Sequence, residues 1–237
     1  MNNKGIEIAY FASWQINPHA GMLVAVEGKD GSGQTTLIDR LTDGLSRKNV
    51  RLSVGKEPTD GPFGSPIRAA LTHRLKIDLN TLQLGFSADR SDDLNKEGGV
   101  IDLLKKGYLR LEDRWFWSTI AYAFASDLDV DYFMAMQSKF PIPDLTIYLD
   151  VPVDACLERM KESRLKFDLF ETGERLEKVD KGYRSLLDKY PEQFRIIDGT
   201  LSPDLVYSRA STFIEAHEKY ERCRIFDSGD SGDRVRP

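Results

Sequence analysis

Short apolar runs alternate with helix-period stripes along most of this chain. Residues 22–26 form a continuous apolar run closed by Glu27-Gly28, the pattern of a strand buried on both faces. Leu37, Leu41 and Leu45 then recur every four residues with Ile38 beside them, which predicts a helix starting near Thr35. Residues 50–54 read as a second strand. Residues 64–72 and 79–95 read as helices, and 100–106 as a short helical turn ending at Gly107. A third strand is expected over 108–111, running into Glu112-Asp113-Arg114, and a helix over 117–138 with a break near 127–131. A fourth strand at 145–151 meets Pro152, a residue suited to the first turn of a helix. Another helix at 173–189, a strand at 194–197 and a helix striped by Leu205, Val206, Phe213 and Ile214 complete the pattern. Five strands alternating with helices predict an α/β fold, a parallel sheet covered by helices on both faces.

Composition narrows the picture. With 237 residues, of which 41% are hydrophobic, the chain has enough apolar material for one large domain and is not a disordered chain. Residues 1–21, without chemistry, read either as an N-terminal extension or as an upstream start with Met22 the true initiator; 22–217 read as the folded unit, and 218–237, rich in Ser, Gly, Asp and Arg, as a solvated polar tail. The net charge of −5 argues against a nucleic-acid polymer as partner. No apolar stretch approaches the ~18 residues of a membrane span, and the start of the chain makes a poor signal peptide. Cys156 and Cys223 are too few for a disulfide framework and fit a reducing compartment or simple indifference to redox state; a cytoplasmic location is the expectation. His19, His73 and His217 have no ligand spacing, so no structural metal site is expected.

The chemistry concentrates in Gly28-Lys29-Asp30-Gly31-Ser32-Gly33-Gln34-Thr35-Thr36, between the first strand and the first helix. Two glycines five apart followed by a hydroxyl residue form a phosphate-binding loop. Its backbone N–H groups turn inward, the helix adds its positive dipole end, and Thr35 offers a hydroxyl to Mg²⁺. The lysine of that pattern is missing, because position 34 holds Gln, which donates a hydrogen bond but carries no charge. Either a nearby cation (Lys29, Arg114, Arg164 or Lys166) compensates, or turnover is weak. Phe86 and Arg90 lie four apart on one helix face, a plane and a guanidinium suited to a flat base. Asp113-Arg114 follow the carboxyl end of the third strand, where ligands bind in open parallel sheets. There Arg114 suits bidentate phosphate contact, and Asp113 suits water-mediated support of Mg²⁺.

The loop, with Val26-Glu27 before it, resembles that of thymidylate kinases, and four further blocks follow in that family's order. These are Glu57-Pro58-Thr59 with Gly64 and Ile67-Arg68; Phe86-Ser87-Ala88-Asp89-Arg90; Glu112-Asp113-Arg114-Trp115 with Ser118-Thr119 and Ala121-Tyr122; and residues 143–152. The likeness spans roughly 22–217. It implies a P-loop NTPase fold, a three-layer α/β/α unit with a five-stranded parallel sheet and a short helical lid at about 159–171. It also implies phosphoryl transfer from ATP, with Mg²⁺, to dTMP, and a homodimer. By the same resemblance Phe86 stacks on the base, Arg90 contacts it, and Ser118 or Thr119 lies at its edge. Asp30 meets the sugar hydroxyl, Tyr122 crowds the 2′ position, Glu57 belongs to the substrate side, Arg68 approaches the base or sugar, and Arg164 is the catalytic lid arginine. The chain departs from the family at Trp115, where Tyr or His is usual, and at Leu169, where an arginine is common. Three other readings stand beside this one: a nucleotide-binding protein of low turnover, a deoxynucleoside kinase using Glu112 as base, and a hydrolytic P-loop switch.

Overall fold

A computed structural model describes residues 14–162 and 173–225. Five strands, β2 (Met22–Gly28), β3 (Leu52–Lys56), β4 (Leu109–Asp113), β6 (Leu145–Asp150) and β7 (Phe194–Asp198), form one sheet in the order β3-β4-β2-β6-β7. Every neighbouring pair is parallel. β1 (Gln15–Ile16) and β5 (Pro141–Ile142) make a separate two-residue pairing. Between the strands run α1 (Gln34–Ser46), α2 (Gly64–Leu71), α3 (Leu79–Asn95), α4 (Val100–Lys105), α5 (Phe116–Ala125), α6 (Val130–Gln137), α7 (Val153–Glu162), α8 (Gly173–Lys189) and α9 (Pro203–Glu215).

The central strand shows why the fold has three layers. All seven residues of β2 are buried, and they alternate between two cores. Met22, Val24 and Val26 pack with Leu37, Leu41 and Leu45 of α1 and with Val206, Ala210 and Ile214 of α9. Leu23 and Ala25 pack on the opposite face with Trp115, Phe116, Trp117, Val179 and Tyr183. The second core is the more aromatic: Trp14, Phe116, Trp117, Tyr190 and Phe194 meet with ring centroids 4.7–5.9 Å apart.

The expected strands and helices are present, with shifted ends. β3 starts and stops two residues later than the sequence suggested. β4 runs on to Asp113, so Glu112 and Asp113 are buried strand residues rather than the start of a loop. The expected break in 117–138 falls between α5 and α6, where Asp127 takes φ 54° and Asp129 caps α6 by accepting from the Tyr132 amide.

The packed unit also extends beyond both expected boundaries. Trp14 lies in the aromatic core, ahead of the expected start at Met22. Lys219, expected in a solvated tail, is buried and donates to the Asn17 carbonyl at 2.8 Å and to Asp144 at 2.7 Å. Asn17 in turn donates to Asp144 and to the Gly21 carbonyl. The apolar patterns exposed neither feature, because one isolated Trp and one Lys carry no periodicity.

α8 and α5 approach closely at Gly182: a Cβ there would lie 2.7 Å from the Ala121 carbonyl oxygen. Gly182→Val is therefore expected to force the two helices apart and cost about 1–3 kcal/mol, read as a lower urea midpoint with an unchanged slope.

Candidate active site

The carboxyl ends of β2 and β4 are adjacent, with Val26 in register with Asp113. Chain leaving β2 therefore meets chain leaving β4 over the same edge. The loop after β2 turns through Gly31 at φ +79° and Gly33 at φ +95°, conformations that side chains resist. A Cβ on Gly31 would also lie 2.6 Å from the Cys156 carbonyl oxygen, so α7 presses against the loop from outside. α1 begins with no side-chain cap and no acidic residue in its first turn. Its first amides and its dipole are thus left for an external anion.

Beside this loop lies a cleft of about 510 Å³, lined by Asp30, Gly31, Gly33, Gln34, Thr35 and Thr36 on one side. Glu57, Phe86, Asp113, Arg114, Ser118, Thr119 and Tyr122 line the rest. The two halves are joined at Asp30. Its carboxylate pairs with Arg114 Nη2 and accepts from the Tyr122 hydroxyl at 2.7 Å. Arg114 also donates to the Gly28 carbonyl at 3.0 Å and contacts the Ser118 hydroxyl at 3.3 Å. Arg114 holds φ 75°, a left-handed conformation costing a non-glycine residue about 1–3 kcal/mol. Its amide bonds to the Val26 carbonyl at 3.0 Å, so the turn that carries the guanidinium is anchored on the central strand.

Beneath the loop sits Glu27, fully buried on the β2 face that also carries Leu23 and Ala25. Its carboxylate accepts from the Trp115 amide at 2.9 Å, the Ser118 hydroxyl and the Tyr183 hydroxyl at 2.9 Å. It thereby locks the start of α5, and hence Ser118, Thr119 and Tyr122, against the loop. Burial pushes its carboxyl up from the ordinary value despite these donors.

Several residues expected in the cleft stand elsewhere. Lys29, a candidate to replace the missing lysine, has a fully buried side chain paired with Asp180 of α8, its ammonium 6.0 Å from the Tyr148 ring centroid. Only its backbone remains for phosphate. Arg90 is fully buried behind the cleft wall, forked onto both oxygens of Glu57, with Gln137 Oε1 at 2.6 Å and Thr119 Oγ1 at 3.1 Å. It shares a helix side with Phe86 as expected, but one turn deeper. Arg68 holds the 58–60 loop through the Pro58 and Thr59 carbonyls and Asp60, away from the cleft. Ser32 lines a smaller neighbouring cavity of about 200 Å³ rather than the cleft. Arg164 and Lys166, with most of the expected lid, fall outside the described residues. Gln34 lines the cleft, and its amide donates to the Val26 carbonyl at 3.2 Å.

The sequence reading missed two cations at the cleft. Lys56, the last residue of β3, lies 3.8 Å from Asp113 Oδ2, the same oxygen that the Thr35 hydroxyl reaches at 3.3 Å. Its place at a strand's carboxyl end, directly before Glu57-Pro58, was the available signal. Arg159 of α7 donates to the Ser32 carbonyl at 3.3 Å and the Gly199 carbonyl at 2.8 Å, and it borders both cavities. Nothing in its local sequence separates it from the other charges of α7.

A glycine cradle at the end of a central parallel strand, an uncapped helix start and a second half-site carrying Arg114 define a P-loop nucleotide-binding α/β protein. The family model of thymidylate kinase matches residues 26–210, and the chain belongs to that family. It is 39% identical over 181 residues to a probable thymidylate kinase of Metallosphaera sedula, covering 76% of this chain and 85% of that protein. It is 36% identical to the thymidylate kinase of Desulfotalea psychrophila, covering 72% and 84% respectively. It is 32% identical to that of Xanthomonas oryzae, covering 83% and 84%.

In the cleft wall, burial pushes the Glu57 carboxyl up to about 8 against the pull of Arg90, and behind it Glu112 up to about 7 against that of Arg110. A carboxyl whose folded value is raised stabilises the fold fully below its unfolded value of 4.5, and this contribution is lost as pH rises through the folded value. The melting temperature should therefore fall between pH 5 and pH 8, and Glu112→Gln should flatten the part of that slope below pH 7.

Proposed function

We propose that this protein transfers the γ-phosphoryl group of ATP to dTMP, giving ADP and dTDP. A bond forms between a dTMP phosphate oxygen and the γ-phosphorus as the bond to the β-phosphate breaks, and the departing oxygen stays with ADP. The observation that carries this reading is Asp30. One carboxylate inside the phosphate loop binds both an arginine and a tyrosine of the opposite half-site, so the two halves are built to hold two ligands end to end. The family to which the chain belongs supports the same reaction. Thymidine kinase chemistry needs a carboxylate facing a 5′-hydroxyl. Glu112, its candidate, is buried against Arg110 and does not line the cleft. A hydrolytic switch would not need the second half-site.

In this reading the loop amides and the start of α1 hold the ATP phosphates. The ATP base enters the neighbouring cavity, walled by Leu37, Leu201, Pro203 and Val206, with Arg159 at the junction. Phe86 covers the dTMP base, Tyr122 crowds its sugar, and Arg114 aligns its phosphate with the γ-phosphoryl group. Mg²⁺ fits the oxygen donors present: the Thr35 hydroxyl and Asp113 carboxylate stand together at the loop end, a sparse set suited to an ion that keeps several waters and takes the rest of its shell from phosphates. When bound it would neutralise phosphate charge. Arg164 on the lid remains a catalytic candidate, and a cytoplasmic homodimer is the assembly we infer from the family.

Gln34 leaves the reacting phosphate without the ammonium usual at that position. Lys56 supports a solution, because it reaches the Asp113 oxygen that Thr35 also reaches, and so brings positive charge to the same end of the cleft. Wild-type protein should release ADP with dTMP as acceptor and not with thymidine. Lys56→Met should lower kcat about 10- to 100-fold, and adding Gln34→Lys should restore most of the loss. Wild type inert with dTMP, but active as Gln34→Lys, would leave a nucleotide-binding protein in place of a kinase.

A further inference from the structure

α8 reaches both halves of the site from behind the cleft. Asp180 pairs with Lys29 of the phosphate loop, and Tyr183, three residues on and so on the same helix side, reaches Ser118 of α5. The close approach of α8 to α5 at Gly182, where no Cβ intervenes, brings the Tyr183 hydroxyl to that place. Tyr183 is fully buried, its ring centroid is 5.0 Å from that of Tyr148, and it does not line the cleft.

Four polar groups meet in series at the end of this side chain. The Tyr183 hydroxyl donates to Glu27 Oε2 at 2.9 Å and lies 2.9 Å from the Ser118 hydroxyl. Ser118 gives its own proton to the same Glu27 oxygen. The Ser118 oxygen is thereby left to accept, and Arg114 Nη1 donates to it at 3.3 Å. Through Ser118 the guanidinium is tied to the first turn of α5 as well as to the loop. Glu27 and Tyr183 have no exposed surface and Ser118 is buried, so these bonds are strong and are not exchanged for water. Phenylalanine would fill the same space without the cost of burying a hydroxyl, so the hydroxyl is there for its partners.

Resting on the dTMP kinase reading above, we propose that Tyr183 is a positioning residue for phosphoryl transfer: its hydroxyl fixes the Glu27–Ser118 pair so that Ser118 presents an acceptor to Arg114, and the guanidinium stays aimed at the acceptor phosphate. Tyr183 touches neither nucleotide. Without the hydroxyl, Glu27 loses a donor, Ser118 turns more freely, and Arg114 loses an acceptor of fixed direction. The loss falls on the phosphate of dTMP and not on its nucleoside part.

The test measures binding of dTMP and of thymidine by calorimetry, and steady-state turnover with dTMP and ATP. Tyr183→Phe is expected to weaken dTMP binding and lower kcat about 10-fold each, with thymidine affinity and the KM for ATP changed less than about twofold. In a Ser118→Ala background the route to Arg114 is already cut, and Tyr183→Phe should then add less than about twofold. Tyr183→Met, which also lacks the hydroxyl, carries the same measurement if Tyr183→Phe does not fold. Equal weakening of dTMP and thymidine assigns Tyr183 to packing alone and overturns the proposal. Unchanged dTMP binding and kcat, or a full 10-fold loss in the Ser118→Ala background, overturns it as well, and all three results leave the kinase reading intact. A wild type that binds dTMP no more tightly than thymidine and does not phosphorylate it overturns the kinase reading, and this assignment with it.

Discussion

The site depends on one carboxylate that serves two half-sites. Asp30 comes from the loop after β2, whereas Arg114 and Tyr122 come from the chain after β4. Parallel pairing of those two strands brings their ends together, and the ion pair then fixes the spacing between the glycine cradle and the second ligand's floor. Transfer of a phosphoryl group demands close alignment of donor and acceptor, so this spacing matters more than the identity of any single donor group. Glu27 performs the matching task from below by tying the first turn of α5 to the same strand.

Charge is arranged unusually around that spacing. The phosphate loop contains a lysine, but the lysine faces inward to Asp180 and stabilises the contact between loop and α8. The position facing the cleft is a neutral amide whose partner is a strand carbonyl. Among the described residues, positive charge reaches the cleft from three other elements: Arg114 after β4, Lys56 at the end of β3 and Arg159 on α7. A cradle with little charge of its own, surrounded by cations on neighbouring elements, makes transfer depend on how those elements are placed relative to one another.

Much of this was legible in the chain because it rests on local rules. The apolar run of β2, the four-residue repeat of α1 and the glycine spacing all act over a few residues, and the structure places them as the pattern implies; the Asp-Arg pair differs only in that Asp113 closes the strand. What escaped the sequence was the direction of long side chains. Strand parity places Glu27 under the loop but says nothing about Lys29 once the chain leaves the strand, and Asp180 lies 151 residues away. Phe86 and Arg90 share a helix side, yet a four-residue step also moves one turn along the axis, which puts Phe86 in the cleft and Arg90 behind it. Tyr183 gave no signal, since a lone tyrosine on a helix stripe reads as core; only the partners of its hydroxyl mark it. Arg164 remains a reading of the sequence, outside the described residues.

The knot of Asn17, Asp144 and Lys219 lies at the opposite margin of the sheet from the cleft, before the starts of β2 and β6. It clamps the segment before β2, the turn before β6 and the stretch after α9 into one unit. The sheet is therefore tied by side chains at its base as well as by its strand pairing, which runs up to the rim at Val26 and Asp113. Attachments made near this base, at the far margin from the loop after β2, are thus remote from the chemistry.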